Sequence, residues 1–223
     1  MTIQEFAHSV GFDLTPGHFA IVDAFSIGNP LTVVSTGRHC NTSHLVAILT
    51  LHEVIHGGQV YVDVYSATRL YSQKIREAMI GFMVRSGISW TMAGNQLWIY
   101  HPSTDTQRGV ILHAADDPPA NSRGAMSIMD GFAYFRDPGG HLLAATHIYP
   151  SIGRLLVLSV PTPDPDNYFN QLWHRSANHL SVPTWDGNPS LGDSFQLREE
   201  TEHWGHIRYF DHGYGAVVPK TDR

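Results

Sequence analysis

The sequence predicts an α/β domain with a central, mostly parallel sheet and helices on both faces. Three observations predict it. The stretch 31–66, LTVVSTGRHCNTSHLVAILTLHEVIHGGQVYVDVYS, reads as strand, tight loop, helix, strand. Short apolar runs bounded by turn residues then alternate with helix-patterned segments along the rest of the chain. With 223 residues and 42% hydrophobic content, the chain is long enough to bury a sizeable core as one domain.

The elements follow in order. Residues Gln4 to Phe25 carry an amphipathic pattern broken by Thr15-Pro16-Gly17, a helix-start signature, so a second helix is expected over His18 to Phe25. Gly28-Asn29-Pro30 is a turn. The apolar run of Leu31, Val33 and Val34 stops at Gly37, and Leu45, Ile48, Leu49 and Ile55 give Ser43 to His56 a helical period closed by Gly57-Gly58. Val60, Val62 and Val64 alternate as a strand. This is a βαβ unit, and its first loop enters a helix N-terminus, the place where backbone N–H groups bind phosphate.

Farther on, Ala67 to Val84 reads as a helix with Leu70, Ile75, Met79 and Phe82 on one face. Ile88–Trp90, Gln96–His101 and Gly109–Ala114 read as short strands. Ala125–Phe135 holds a buried strand, His141–Tyr149 a helix, Leu155–Val160 a strand and Asp166–Ser176 a helix with Tyr168, Phe169, Leu172 and Trp173 as its apolar side. A strand over His179–Trp185 and a helix over Ser194–Trp204 precede the closing segment Tyr209–Val217.

Composition narrows the function. No apolar run approaches membrane-span length, and Met1–Val10 lacks the features of a secretory leader. A single cysteine, Cys40, forbids an internal disulfide and suits a reducing compartment. Net charge is −6 with only 14 Lys and Arg and no basic run, which gives no support for tight DNA binding. Fifteen histidines are scattered along the chain, and abundance without convergence does not make a metal site.

GRHCNTS (37–43), followed by an apolar helix and GGQVYV, resembles the nucleotide-binding segment of viral terminase large subunits, the motors that package phage DNA. That family's loop reads approximately Gly-Arg-Gln-x-Gly-Lys-Ser/Thr. Gly37, Arg38 and Ser43 match it, whereas His39, Asn41 and Thr42 stand where Gln, Gly and Lys would be. The resemblance continues through AMSIMDGFAYF (125–135). There a buried strand would end in Asp-Glu, the Asp ordering a Mg²⁺ shell and the Glu polarising water. Asp130 is present, but Gly131 occupies the Glu position. Ser122-Arg123-Gly124 ahead of this strand, Ser159-Val160-Pro161-Thr162, Asn188-Pro189 and the closing Tyr214-Gly215 follow the same motif order, from roughly Phe6 to Val218.

The resemblance implies a P-loop NTPase fold of the terminase type over residues 1–223, without the nuclease domain of full terminases. It implies nucleotide contacts at Gly37, Arg38, Asn41, Thr42 and Ser43, with His18 at the family's adenine-reading Gln. Asp130 would serve Mg²⁺, Ser159 and Thr162 would couple hydrolysis to movement, and Arg123 would be a candidate arginine finger across a subunit interface. Without the lysine and the glutamate, the expected protein is a non-hydrolysing scaffold or regulator in phage or prophage DNA packaging, binding ATP and Mg²⁺ weakly. The alternative is an active motor using Arg38 in place of the lysine. Portal, capsid or small terminase are the implied partners, self-association is possible within the family, and the setting is the host cytoplasm or the virion.

A competing motif is His52-Glu53-Val54-Ile55-His56, HExxH on a helix, which can bind Zn²⁺ through His52 and His56 with Glu53 as base and Glu77 as a distant third ligand. The extended zinc spacing fails, because Gln59 and Val62 sit where Gly and His would be.

Overall fold

A computed structural model describes residues 1–100, 106–146, 153–191 and 211–220. Two short helices open the chain, α1 (Ile3–Ser9) and α2 (Pro16–Ser26), each started by a threonine capping box at Thr2 and Thr15. Then come β1 (Leu31–Thr36), α3 (Thr42–Ile55), β2 (Tyr61–Ser66) and α4 (Arg69–Ser86). Strands β3 (Trp90–Ala93), β4 (Gln96–Tyr100) and β5 (Gln107–Ala114) follow, then β6 (Met126–Asp130) and a 3-10 turn, Phe132–Tyr134. The remaining described elements are α5 (Pro138–Thr146), β7 (Arg154–Ser159), α6 (Tyr168–Arg175), β8 (His179–Val182) and α7 (Thr184–Gly187).

The described strands form one eight-stranded sheet in the order β3-β4-β5-β2-β6-β7-β1-β8. From β5 to β8 every pairing is parallel, and only the β3-β4-β5 edge is antiparallel. Strand alternation divides the core between the two faces. Val34, Val62, Val64, Leu156 and Leu158 meet α1 to α4 on one side, while Val33, Tyr65, Leu155 and Val157 meet Phe132, Phe135 and α6 on the other. Helix α3 is buried from Leu45 to Ile55, so even Thr50, His52 and Glu53 lie inside.

Several expectations are corrected. Leu70 is 61% exposed rather than on the apolar face of α4, because the helix is capped at Thr68 and its buried stripe is Ile75, Met79, Phe82 and Met83. The strand expected at Ile88–Trp90 begins at Trp90 and turns at Gly94-Asn95 into an antiparallel hairpin. The strand expected through Trp185 stops at Val182, since Pro183 cannot donate to a ladder and Thr184 begins α7. Tyr168 of α6 is exposed, its ring edge against Phe132. The helix expected at 194–204 and the end of that expected at 141–149 lie outside the described residues.

Candidate nucleotide site

Parallel pairing puts the ends of β1, β2, β6 and β7 at one edge of the sheet. Ser35 pairs Ser159, Ser66 pairs Asp130 and Asp130 pairs Leu158. The loops leaving these strands surround a cleft of about 1100 Å³ lined by residues 36–44, Ala67, Thr68, Asp130, Gly131, Tyr134, Ser159 and Val160. One face of α4, including Tyr71, Lys74, Glu77, Phe82 and Arg85, forms its far wall.

The loop between β1 and α3 has a P-loop-like shape without the expected glycine. Asn41 takes the left-handed conformation (φ +52°) at the N-cap of α3, and His39 is also left-handed (φ +63°). Asn tolerates this region better than other non-glycine residues, because its short amide bonds locally. Asn41 makes no side-chain cap, whereas Thr2, Thr15, Thr68 and Asn167 cap their helices. The positive end of a 14-residue helix therefore opens on the cleft.

Two segments far along the chain clamp the loop. The Gly37 N–H donates to Val182 O (2.8 Å) and the Arg38 N–H to Gly213 O (2.6 Å). Thr184 Oγ1 donates to Arg38 O (2.7 Å) and Asn188 Nδ2 to His39 O (3.1 Å). A Cβ at Gly37 would lie 2.4 Å from Thr184 Oγ1 and 2.5 Å from Tyr214 O, so only glycine fits this approach.

Ser43 and Asp130, singled out separately by the resemblance, meet at the cleft floor. Ser43 Oγ donates to Asp130 Oδ2 at 3.3 Å across the cleft floor. Burial pushes the Asp130 carboxyl up to about 6, against the opposing pull of hydrogen bonds from Ser43 and Thr42. A buried carboxylate beside a hydroxyl is a hard-oxygen pair of the kind that holds Mg²⁺. Gly131 has φ +75°, and a Cβ there would sit 3.1 Å from Ala67 Cβ. The position therefore lacks the glutamate and has a backbone that disfavours any side chain.

The remaining expected site residues fall at several places in the fold. His18 is buried and outside the cleft lining: Nδ1 accepts from the Thr15 N–H (3.2 Å), so Nε2 carries the proton and donates to Cys40 O (2.7 Å). Burial lowers its pKa, keeping the ring neutral. It braces the loop from behind rather than offering an edge to a base. Arg123 precedes β6 and lies at the opposite edge of the sheet, roughly 20 Å from Asp130 at strand rise. Its N–H, with Ser122 Oγ and the Gly124 N–H, donates to Asp63, which also takes His113 Nε2. Ser122-Arg123-Gly124 is thus fastened to the sheet by Asp63, and the Arg123 side chain is exposed. Ser159 lines the cleft and accepts from the Ala133 N–H (3.0 Å). Thr162 lies beyond it, in the turn held by Asn170.

The HExxH residues are occupied elsewhere. Glu53 pairs with Arg154 at 2.5 Å, and His52 Nε2 bonds Met1 O at 3.0 Å. Burial pushes the Glu53 carboxyl up, but the neighbouring His52 and the Arg154 charge outweigh it and hold it below its ordinary value. His56 lies beyond the end of α3, as its C-cap, and packs against Phe6. Among the described residues no group of three or more His, Cys, Asp or Glu is placed to hold a metal ion.

Lys74 and Tyr71 line the cleft but are not among the site residues the sequence implies. Tyr71 and Lys74 share the α4 face that lines the cleft, a stripe of period three to four that also includes Ala78, Gly81, Phe82 and Arg85. This stripe is rotated from the buried one of Ile75, Met79, Phe82 and Met83, so hydrophobic periodicity does not mark it.

A parallel sheet whose first strand feeds a left-handed loop and a buried helix, with an aspartate ending a central strand beside it, defines a P-loop NTPase-like fold. More closely, it is the fold of phage large terminase ATPase domains. The Thermus phage P74-26 large terminase ATPase domain is 13% identical, with a TM-score of 0.75 over 96% of this chain and 98% of that one. The HK97 bacteriophage large terminase is 13% identical with a TM-score of 0.73, covering 97% of this chain and 54% of that one. The chain thus spans about half of that longer protein. The large terminase of a thermophilic bacteriophage, in complex with ATP-gamma-S, is 13% identical with a TM-score of 0.63 over 92% of this chain and 53% of that one. No protein-family model matches the chain, and no curated protein matches it by sequence. No helix among the described residues is long and apolar enough to cross a membrane.

Proposed function

We propose that this protein binds a nucleoside triphosphate with Mg²⁺ in the cleft, does not hydrolyse it efficiently, and serves phage or prophage DNA packaging as a terminase-like scaffold or regulator. The observation that carries the reading is the Ser43–Asp130 pair kept beside a left-handed Gly131. The first is a site for the metal and the second is the loss of the water-positioning group.

Bound there, Mg²⁺ would neutralise phosphate charge, and Ser43 and Asp130 are the residues that would hold it. The rest is the work of the chain itself. The uncapped start of α3 presents backbone N–H groups to phosphate oxygens. His18, Thr184 and Asn188 fix the loop carbonyls so that these N–H groups keep their aim. Nothing at position 131 can orient an attacking water, which removes a group whose absence costs orders of magnitude in rate.

Packaging components such as portal, capsid or small terminase fit this reading as partners, by likeness to proteins of the same fold. Calorimetric titration of the protein with MgATP tests it: the reading predicts binding that Ser43→Ala and Asp130→Asn weaken in Mg²⁺ but much less in EDTA. No binding in either buffer contradicts it. An active motor relying on Arg38 is the second reading, favoured by that side chain's position on the cleft wall.

A further inference from the structure

Three permanent cations line the cleft, namely Arg38, Lys74 and Arg85, against the carboxylates of Glu77 and Asp130. They are not equally available. Arg85 Nε donates to Val10 O at 3.0 Å and its guanidinium lies over the Phe82 ring, 4.9 Å from the centroid. Arg38 has both backbone groups tied, to Gly213 and Thr184, and its side chain lies against Gly213, where a Cβ would come within 3.4 Å of Nε. Glu77 takes a hydrogen bond from Gln73 Nε2 at 2.8 Å.

Lys74 is exposed, and among the described residues no carboxylate pairs with it. Its one described contact is the Tyr71 ring, 5.3 Å from Nζ. Its neighbours on the cleft face of α4 are Tyr71 and Glu77, one turn to either side, and the small residues come next. Ala78 follows one turn later and Gly81 after that, a glycine inside a helix that costs about 1 kcal/mol relative to alanine. The wall is low at Ala78 and Gly81, and the exposed four-carbon side chain of Lys74 can swing into the cleft there.

We infer that Lys74 is the phosphate-binding cation of the cleft, supplying from α4 the charge that Thr42 does not supply from the loop. The inference rests on reading the cleft as a nucleotide site. A lysine displaced to a facing helix keeps the charge but not the fixed aim of a loop lysine, which suits binding without turnover. A phosphate chain would then lie between the α3 N-terminus and the α4 wall.

Calorimetry on the full chain tests this with inorganic tripolyphosphate, MgATP and adenosine as separate probes, on the parent protein, Lys74→Ala and Lys74→Arg. Loss of a charge-assisted contact predicts that Lys74→Ala weakens tripolyphosphate and MgATP about 10- to 100-fold. It predicts that Lys74→Arg stays within a few-fold of the parent and that adenosine is indifferent to both changes. Lys74 is exposed, so unchanged thermal unfolding of the variants is expected and checks that the fold is kept. Unaltered affinity for both phosphate ligands in Lys74→Ala overturns the inference and leaves the nucleotide reading standing. Tripolyphosphate bound through Lys74, with MgATP binding no more tightly, upholds the inference and overturns the nucleotide reading. A parent protein that binds neither phosphate ligand overturns both.

Discussion

Nε2 of His18 donates to the carbonyl oxygen of Cys40 at 2.7 Å, and through this bond α2 sets the shape of the loop between β1 and α3. Both ring nitrogens are bonded within the chain, and the ring is buried and neutral. His18→Ala would leave the Cys40 carbonyl without its donor and open a small cavity. We expect a loss of about 1–3 kcal/mol of stability in urea denaturation, together with weaker nucleotide binding.

Gly37 is where the loop, α7 and the segment 211–220 come closest. A methyl group would sit within 2.5 Å of Thr184 N and Tyr214 O, both backbone atoms that cannot turn aside. Gly37→Ala should therefore cost more than an ordinary overpacked site, roughly 2 kcal/mol or more, and lower the thermal unfolding midpoint by several degrees. A neutral effect would mean that the clamp is looser than described.

Much of this was legible in the sequence, and the rest fails for a common reason. The strand–loop–helix–strand unit at 31–66 is set by local periodicity, and the motif order singles out Ser43 and Asp130, whose contact only the fold shows. The clamp from Thr184, Asn188 and Gly213 joins residues about 150 or more positions apart, and no local pattern reports such contacts. His18 stands where the resemblance implies an adenine reader, yet its role follows from Thr15 and Cys40, which only the fold brings together. Arg123, implied as a finger across a subunit interface, sits away from the cleft of its own chain. It precedes a parallel strand whose other end carries Asp130, so strand direction alone separates it from the cleft.

Asp130 gives the protein a specific pH dependence. Its folded-state pKa, about 6, lies above the ordinary 3.8 because the carboxyl is buried. Below 3.8 both states are protonated and there is no penalty. As pH rises through the window from 3.8 to 6 the unfolded chain ionises first and stability falls, by up to about 3 kcal/mol. Above 6 the penalty is complete. Asp130→Asn should accordingly raise the unfolding midpoint of the metal-free protein at pH 7.5 and change it little at pH 4, as thermal scans at the two pH values would show.

Restoring the loop should restore affinity but not turnover. Asn41→Gly removes a left-handed non-glycine residue, and Thr42→Lys returns a cation to the start of α3. The double variant is expected to bind MgATP about tenfold or more tightly than the parent. It should still release no phosphate, because position 131 is unchanged. Gly131→Glu does not repair this: its φ of +75° and the 3.1 Å approach of Ala67 Cβ strain any side chain there, so a lower unfolding midpoint is expected instead.

Phosphate release from saturating MgATP, measured on the parent protein, bears most directly on binding without efficient hydrolysis. The expected result is release indistinguishable from the protein-free rate, in a sample that calorimetry shows to be loaded with nucleotide. Sustained turnover that Arg38→Ala abolishes would contradict it, and would make the chain an active motor whose cation sits early in the loop.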